Sequence, residues 1–337
     1  MPQQKNRQWL LARRPQGPVG PEDFRRHEAE IPEPGEGEIL VRNLYLSCDP
    51  TQRGWMARET YMPAVPLGEV MRAFAGSEVV ASRDPSFAVG QRVQGLFGWQ
   101  DYAVVKPSTD WPILPIPDGF SIPTAMSALG LTGLTAYFGL LDVGQAKQGE
   151  TVVVSGAAGA TGSVVGQIAK LQGCRVVGIA GGPEKCRYLT SELGFDAAIE
   201  YKSENLITAL RRHCPSGIDV YFDNVGGAIL DCALMFLALH GRVVICGAIS
   251  SYNDEAPAPG PKNYLRLLSR RGRMEGFLVL DYYPRAAEGM AALGGWLRAG
   301  KLKDRVDVVE GFDHAPAALA RLFTGQNQGK QLVKIAE

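Results

Sequence analysis

Residues 151–172 read TVVVSGAAGATGSVVGQIAKLQ, and three patterns meet in that stretch. The run TVVVSG, residues 151–156, is apolar on both alternating faces, as in a strand buried inside a parallel sheet. Ala157-Ala158-Gly159-Ala160-Thr161-Gly162 follows as a dinucleotide-binding fingerprint with alanine in the first glycine place. From Ser163 to Gln172 the apolar residues Val164, Val165, Ile168, Ala169 and Leu171 fall at helical spacing. Strand, small-residue turn and helix in that order present free backbone N–H groups to an anion at the helix start. Gly159 admits a pyrophosphate without a Cβ in the way, and Gly162 permits close packing of helix on strand. Small residues also make ordinary tight turns, but the strand before and the helix after favour the phosphate reading.

Working outward toward the C-terminus, strand and helix patterns keep alternating. CRVVGIAG, AAIEY, IDVYFDNVG and GRVVICGAI read as strands, separated by helices over PEKCRYLTSEL, ENLITALRRH and ILDCALMFLAL. Right-handed crossovers turn such alternation into a doubly wound parallel sheet with helices on both faces. In the other direction, residues 9–106 hold short β-type runs, EILVRNLYL, SEVVAS, QRVQGLF and DYAVV, broken by Pro and Gly clusters, which predicts a compact antiparallel barrel. The four prolines of WPILPIPDGFSIP, residues 111–123, fit a segment crossing between domains or a rigid surface loop. After RMEGFLVL, a helix around Arg285–Arg298, VDVVEGF and a helix over Pro316–Phe323, the last strand, QLVKI, lies beyond the nucleotide-binding pattern. If it completes the first sheet, the barrel domain is discontinuous.

An NAD-specific site carries an acid at the end of the second strand, about 20 residues after the glycine turn, to bond the ribose 2′-OH. Here that strand ends Ile179-Ala180-Gly181-Gly182, with Lys185 three residues later. No carboxylate repels a 2′-phosphate and a cation is at hand, which favours NADPH. A solvated lysine at a helix start would look the same.

With 35 Lys plus Arg against 35 Asp plus Glu, the chain lacks the net charge that holds a phosphate backbone, so nucleic acid is not the expected partner. The only early apolar run is Trp9–Ala12 and no stretch reaches about 18 uncharged apolar residues, so no membrane span and a cytoplasmic location are expected. Six cysteines at 48, 174, 186, 214, 232 and 246 show no zinc-knuckle or redox-dithiol spacing and read as reduced thiols. None of His27, His213, His240 and His314 stands near Cys48 or in residues 66–70, so no catalytic metal is expected. Hydride transfer without a metal needs an acceptor that is already electron-poor, such as an enone or enal, with a donor waiting where the enolate charge develops.

The segments GAAGATGSVVGQIAKLQGCRVVGIAGGPEK, ELGFDAAIEYK, YFDNVGG, CGAISSYN and NLYLSCDP together resemble the zinc-independent medium-chain reductases of the leukotriene B4 dehydrogenase, prostaglandin reductase and curcumin-type double-bond reductase group, from about Trp9 to Ile335. The resemblance implies an α/β chain: a GroES-like β-barrel catalytic domain (1–125 and 308–337) and a Rossmann doubly wound sheet that binds NADPH (126–307), commonly as a homodimer. It implies reduction of the C=C bond of small-molecule enals or enones, with quinone reduction and a non-catalytic NADPH- or RNA-binding role as alternatives. Carried over, Gly159, Ala160, Thr161 and Gly162 meet the pyrophosphate, Lys185 and Tyr201 the 2′-phosphate, and Asn224 the far side of the cofactor. Cys246, Gly247, Ala248, Ile249, Ser250, Phe277, Leu278, Val279 and Asn327 line the path toward the nicotinamide. Tyr252 matches the tyrosine beside the nicotinamide ribose, a candidate to hold or protonate the enolate; an ordinary loop tyrosine is its alternative. Tyr45, Tyr61 and Tyr282 are candidate substrate contacts, with Tyr283 as a further lid residue, and Tyr45 fits an alternating-strand core equally well. Many mammalian members carry Ser in place of Gly182, which bears on the strength of NADPH preference.

Overall fold

The apolar runs from Thr151 onward form a six-stranded parallel sheet: β1 (Thr151–Ser155), β2 (Arg175–Ala180), β3 (Ala197–Glu200), β4 (Ile218–Asp223), β5 (Leu237–Ile245) and β6 (Arg273–Gly276). The strands pair in the order 3-2-1-4-5-6, every neighbour parallel, which is the Rossmann arrangement. The computed structural model describes residues 5–108, 111–254, 256 and 258–337. All five residues of β1 are buried, as a central strand covered on both faces requires. Glycines set the helix–strand spacing: a Cβ on Gly166 would lie 1.9 Å from Phe195, and one on Gly178 would lie 2.9 Å from Ala157 Cβ. These elements belong to a unit spanning Ser127–Arg305.

The other unit combines the chain through Met126 with the chain from Val306 on. Its sheet runs Val306–Glu310, Lys330–Lys334, Ile39–Ser47, Phe74–Ser82, Arg92–Leu96, Leu114–Pro115, with Tyr102–Val105 also paired to Ile39–Ser47. All of these pairs are antiparallel except the first. This is the GroES-like architecture, and the last strand does complete the first sheet, with Leu332 opposite Ser47. Trp55, Trp99, Met56 and Met71 fill its core. Lys330 and Asp49, both almost wholly buried, form an ion pair that joins the C-terminal strand to the segment after Ile39–Ser47.

Three local readings are corrected. Leu114–Pro115 of the proline-rich stretch pair with Gln94 and Val93 as an edge strand of the first unit's sheet, where a missing N–H is tolerated, so they are no inter-domain crossing. The helix read through Leu239 ends at Met235, and Leu237 opens β5 opposite Ile218. Both segments are apolar, and periodicity alone does not separate a buried helix end from a buried strand start. The helix after the glycine turn starts at Ala160, three residues before its apolar spacing becomes visible.

Candidate functional site

β1 and β4 are neighbours where the strand order reverses, and ligands of such sheets sit in the crevice beyond the strands' carboxyl ends. Gly156 turns the chain out of β1 at φ +57°, and the helix Ala160–Leu171 opens at Gly159 without a side-chain cap. A Cβ on Gly162 would stand 2.5 Å from the Gly156 carbonyl oxygen, so only glycine lets the helix start this close to the turn.

Asp223, at the end of β4, organises the loops around this crevice. Its Oδ1 accepts hydrogen bonds from Ser155 Oγ (2.8 Å), Tyr221 Oη (3.0 Å), Val225 N (3.1 Å) and Gly226 N (3.0 Å). Its backbone carbonyl accepts Cys246 N and Gly247 N, while Oδ2 is buried with no hydrogen-bond partner. Burial pushes the Asp223 carboxyl above the usual carboxylate range, opposed by the Gly226 and Val225 N–H groups and the Ser155 and Tyr221 hydroxyls. The neighbouring Asn224 donates from its amide to the Ser155 carbonyl at 2.7 Å, tying β4 to β1.

The loop after β5 is laced to the same turn. Ile249 N bonds the Asn224 carbonyl, and Ser250 reaches the Val225 carbonyl through both N and Oγ. Tyr252 folds back over this loop, its hydroxyl accepting the Ala248 N–H at 3.1 Å; a Cβ on Gly247 would lie 3.1 Å from that oxygen. This bond uses a lone pair of the phenol and leaves its O–H oriented for donation. Burial pushes the Cys246 thiol up to about 12, which keeps it protonated at neutral pH.

At the end of β2, Gly182 takes φ +105°, a conformation side-chain-bearing residues rarely adopt, and precedes the helix Pro183–Arg187 that carries half-buried Lys185. A Cβ on Gly181 would lie 3.1 Å from both Tyr201 Cε1 and Lys202 Cε. Tyr201 therefore does reach the strand end that Gly181 and Gly182 form. Lys202 beside it is a cation the sequence reading missed, although it is the residue after Tyr201.

Phe277 and Tyr282 belong to one aromatic group. Tyr282 stacks on Phe138 (4.8 Å, 22°), and Phe277 meets Tyr282 (6.2 Å) and Phe222 (6.4 Å) edge-on. Arg285 fixes the following turn by bonding Glu288 and Asp142 and lying over Phe138. Leu278 is exposed, Val279 is buried and Tyr283 is half-buried. In the other unit, the Asn327 amide donates to the Gly329 carbonyl at 3.0 Å, and Tyr45 packs against Leu44, Ile116, Ile122 and Leu332. Tyr61 is bonded instead to Thr51 (3.0 Å). Among the described residues no three His, Cys, Asp or Glu side chains form a metal-holding group, and no helix is long and apolar enough to cross a membrane.

Residues 7–113 match the family described as N-terminal domain of oxidoreductase, and residues 160–293 the family described as zinc-binding dehydrogenase. The chain is 42% identical over 340 residues to the NADPH-dependent curcumin reductase of Escherichia coli, covering 99% of this chain and 98% of that protein. It is 42% identical over 312 residues to the NADP(+)-dependent 2-alkenal reductase of Nicotiana tabacum, covering 91% and 90%. The crystal structure of CurA from Vibrio vulnificus in complex with NADPH superposes with a TM-score of 0.92 at 41% identity, covering 98% and 99% of the two chains.

Proposed function

The chain belongs to the double-bond reductase group of the medium-chain dehydrogenase/reductase family, and from that premise we propose that it uses NADPH to reduce the C=C bond of α,β-unsaturated aldehydes and ketones without a metal. The observation that carries the proposal is the crevice at β1 and β4. A glycine-built helix start faces the place for a pyrophosphate, and a strand end without an acid, flanked by Tyr201 and Lys202, suits a 2′-phosphate. These residues fit NADPH: Gly159–Gly162 would hold the pyrophosphate, with Lys185 and Tyr201 at the 2′-phosphate.

When bound, NADPH supplies the hydride, which the acceptor takes at its β-carbon. The chain's own task is then to stabilise the enolate oxygen and see the α-carbon protonated. Tyr252 is the residue we assign to it. Its hydroxyl is held from behind by the Ala248 N–H, a bond that makes the phenol a better donor toward a developing negative charge. The Asp223 hub fixes the two loops on which this geometry depends.

Removing that hydroxyl tests the assignment. Tyr252→Phe is expected to lower kcat with an enone by about 10²-fold, within the range of general acid catalysis, while the Kd for NADPH stays close to that of the parent. An unchanged kcat removes Tyr252 from the mechanism. We further assign a cytoplasmic homodimer. All six cysteines are free thiols, β6 is exposed along its whole length at the sheet edge, and the helix Leu265–Arg270 presents Leu265 and Leu268 to solvent, a surface a second copy would cover.

A further inference from the structure

In the first unit, a group of side chains stands short of a negative partner. The short helix Gln52–Ala57 and the chain after it bring Thr51, Trp55, Tyr61 and Arg72 together. Tyr61 Oη lies 3.0 Å from Thr51 Oγ1, and its ring meets Trp55 edge-on at 6.3 Å. The Arg72 guanidinium lies over the Trp55 ring, 5.9 Å from its centroid, and donates from Nη1 to the Pro63 carbonyl at 2.7 Å. A guanidinium has five N–H donors, and that carbonyl is the single side-chain acceptor Arg72 has among the described residues.

No carboxylate acts on Arg72; the side chain is half-buried, and lost hydration draws its pKa below the usual arginine value. Natural proteins seldom leave a partly desolvated guanidinium with no anion. The surroundings of the Tyr61 oxygen point the same way. Burial pushes the phenol up, Asp49 adds to that, and Thr51, Trp55 and Arg72 each favour negative charge there. Asp49 is already bonded to the Lys330 ammonium and to the Ser47 hydroxyl. The Trp55 Nε1–H is buried without an acceptor, so its dipole adds to a positive field at this spot.

We propose that Arg72, with the Tyr61 hydroxyl, forms a subsite that reads a carboxylate carried by the unsaturated acceptor, so that the preferred substrates are enones or enals bearing an acid group. Arg72 is suited to this because its planar fork bonds both carboxylate oxygens at once, and stacking on Trp55 pre-orients that fork. The proposal rests on the reductase reading above and adds the substrate class.

The test uses the full-length enzyme with NADPH and two acceptors that differ only in charge: 4-carboxybenzylideneacetone and its methyl ester. Parent enzyme is expected to show a higher kcat/KM for the acid than for the ester, and Arg72→Met to lower that acid-to-ester ratio about tenfold, chiefly through KM, the size of one lost charged hydrogen-bonded contact. Arg72→Lys, which keeps the charge but not the fork, is expected to fall between them and decides the matter if the methionine variant does not fold. A ratio that neither substitution moves overturns the carboxylate subsite. Failure of the parent enzyme to reduce either acceptor, or unsubstituted benzylideneacetone, overturns the reductase reading itself and this inference with it.

Discussion

Asp49 and Asp223 are both buried carboxylates just beyond or at the ends of central strands, one in each unit, and they are satisfied in opposite ways. Asp49 meets a full positive charge, Lys330, and the Ser47 hydroxyl. Asp223 meets only neutral donors, two hydroxyls and two backbone N–H groups, all on one oxygen. The ion pair links residues 281 positions apart and so joins the two ends of the chain into one sheet. The neutral cluster joins loops within one unit, the loops that build the proposed cofactor crevice. A buried charge with a counter-charge secures the fold, whereas one solvated by oriented dipoles fixes a site while its own ionisation stays tunable.

Breaking the ion pair is the largest perturbation expected. Asp49→Ala leaves the Lys330 ammonium buried and unpaired and should cost about 3–5 kcal/mol of unfolding free energy, read from urea midpoints. Replacing Asp49 and Lys330 together by Leu and Met should cost clearly less. If the double variant is the worse of the two, the pair matters for more than mutual charge compensation. Asp223→Ala comes next. It strands donors that now share Oδ1 and should cost about 1–3 kcal/mol while weakening NADPH binding measured by fluorescence titration. Loss of stability without any change in NADPH affinity would separate this hub from the crevice.

Asp223→Asn should be milder than Asp223→Ala in both measurements, because the amide oxygen can keep the four bonds and its NH2 replaces an oxygen that has no partner. The smallest effect is one of pH. The folded-state pKa of Asp223 is raised, so the stability it contributes is fully present below the unfolded carboxylate pKa of about 3.9 and is lost as pH rises through the folded value. The stability of Asp223→Asn relative to the parent should therefore improve as pH rises from below 3.9 toward neutrality, a slope measurable in paired denaturation series. A flat difference would mean the two states bind the proton equally.

The doubly wound sheet was legible because its evidence is local: each buried strand is a short apolar run, each helix keeps its spacing, and Gly159 to Gly162 sit between the first such pair. Asn224 and the residues 246–252 were legible as a site only through resemblance, since nothing in their spacing says that Asn224, Val225 and the loop after β5 are laced together. Asp223 was read as part of a strand and assigned no role, because an acid at the end of an apolar run looks like a strand terminus until four donors are found on it. Arg72 carried no signal at all, since a lone arginine between apolar residues is ordinary.

By itself, the sequence determined the order of strands and helices, the glycine turn between β1 and its helix, and the absence of an acid at the end of β2, since these depend on backbone periodicity and on residues a few places apart. Only the tertiary structure decided which side chains share an environment: Lys330 against Asp49, Tyr201 and Lys202 over Gly181, and Arg72 on Trp55 with no anion beside it. The physical reason is that burial and Coulomb interaction depend on distance through space, which chain folding sets independently of separation along the sequence.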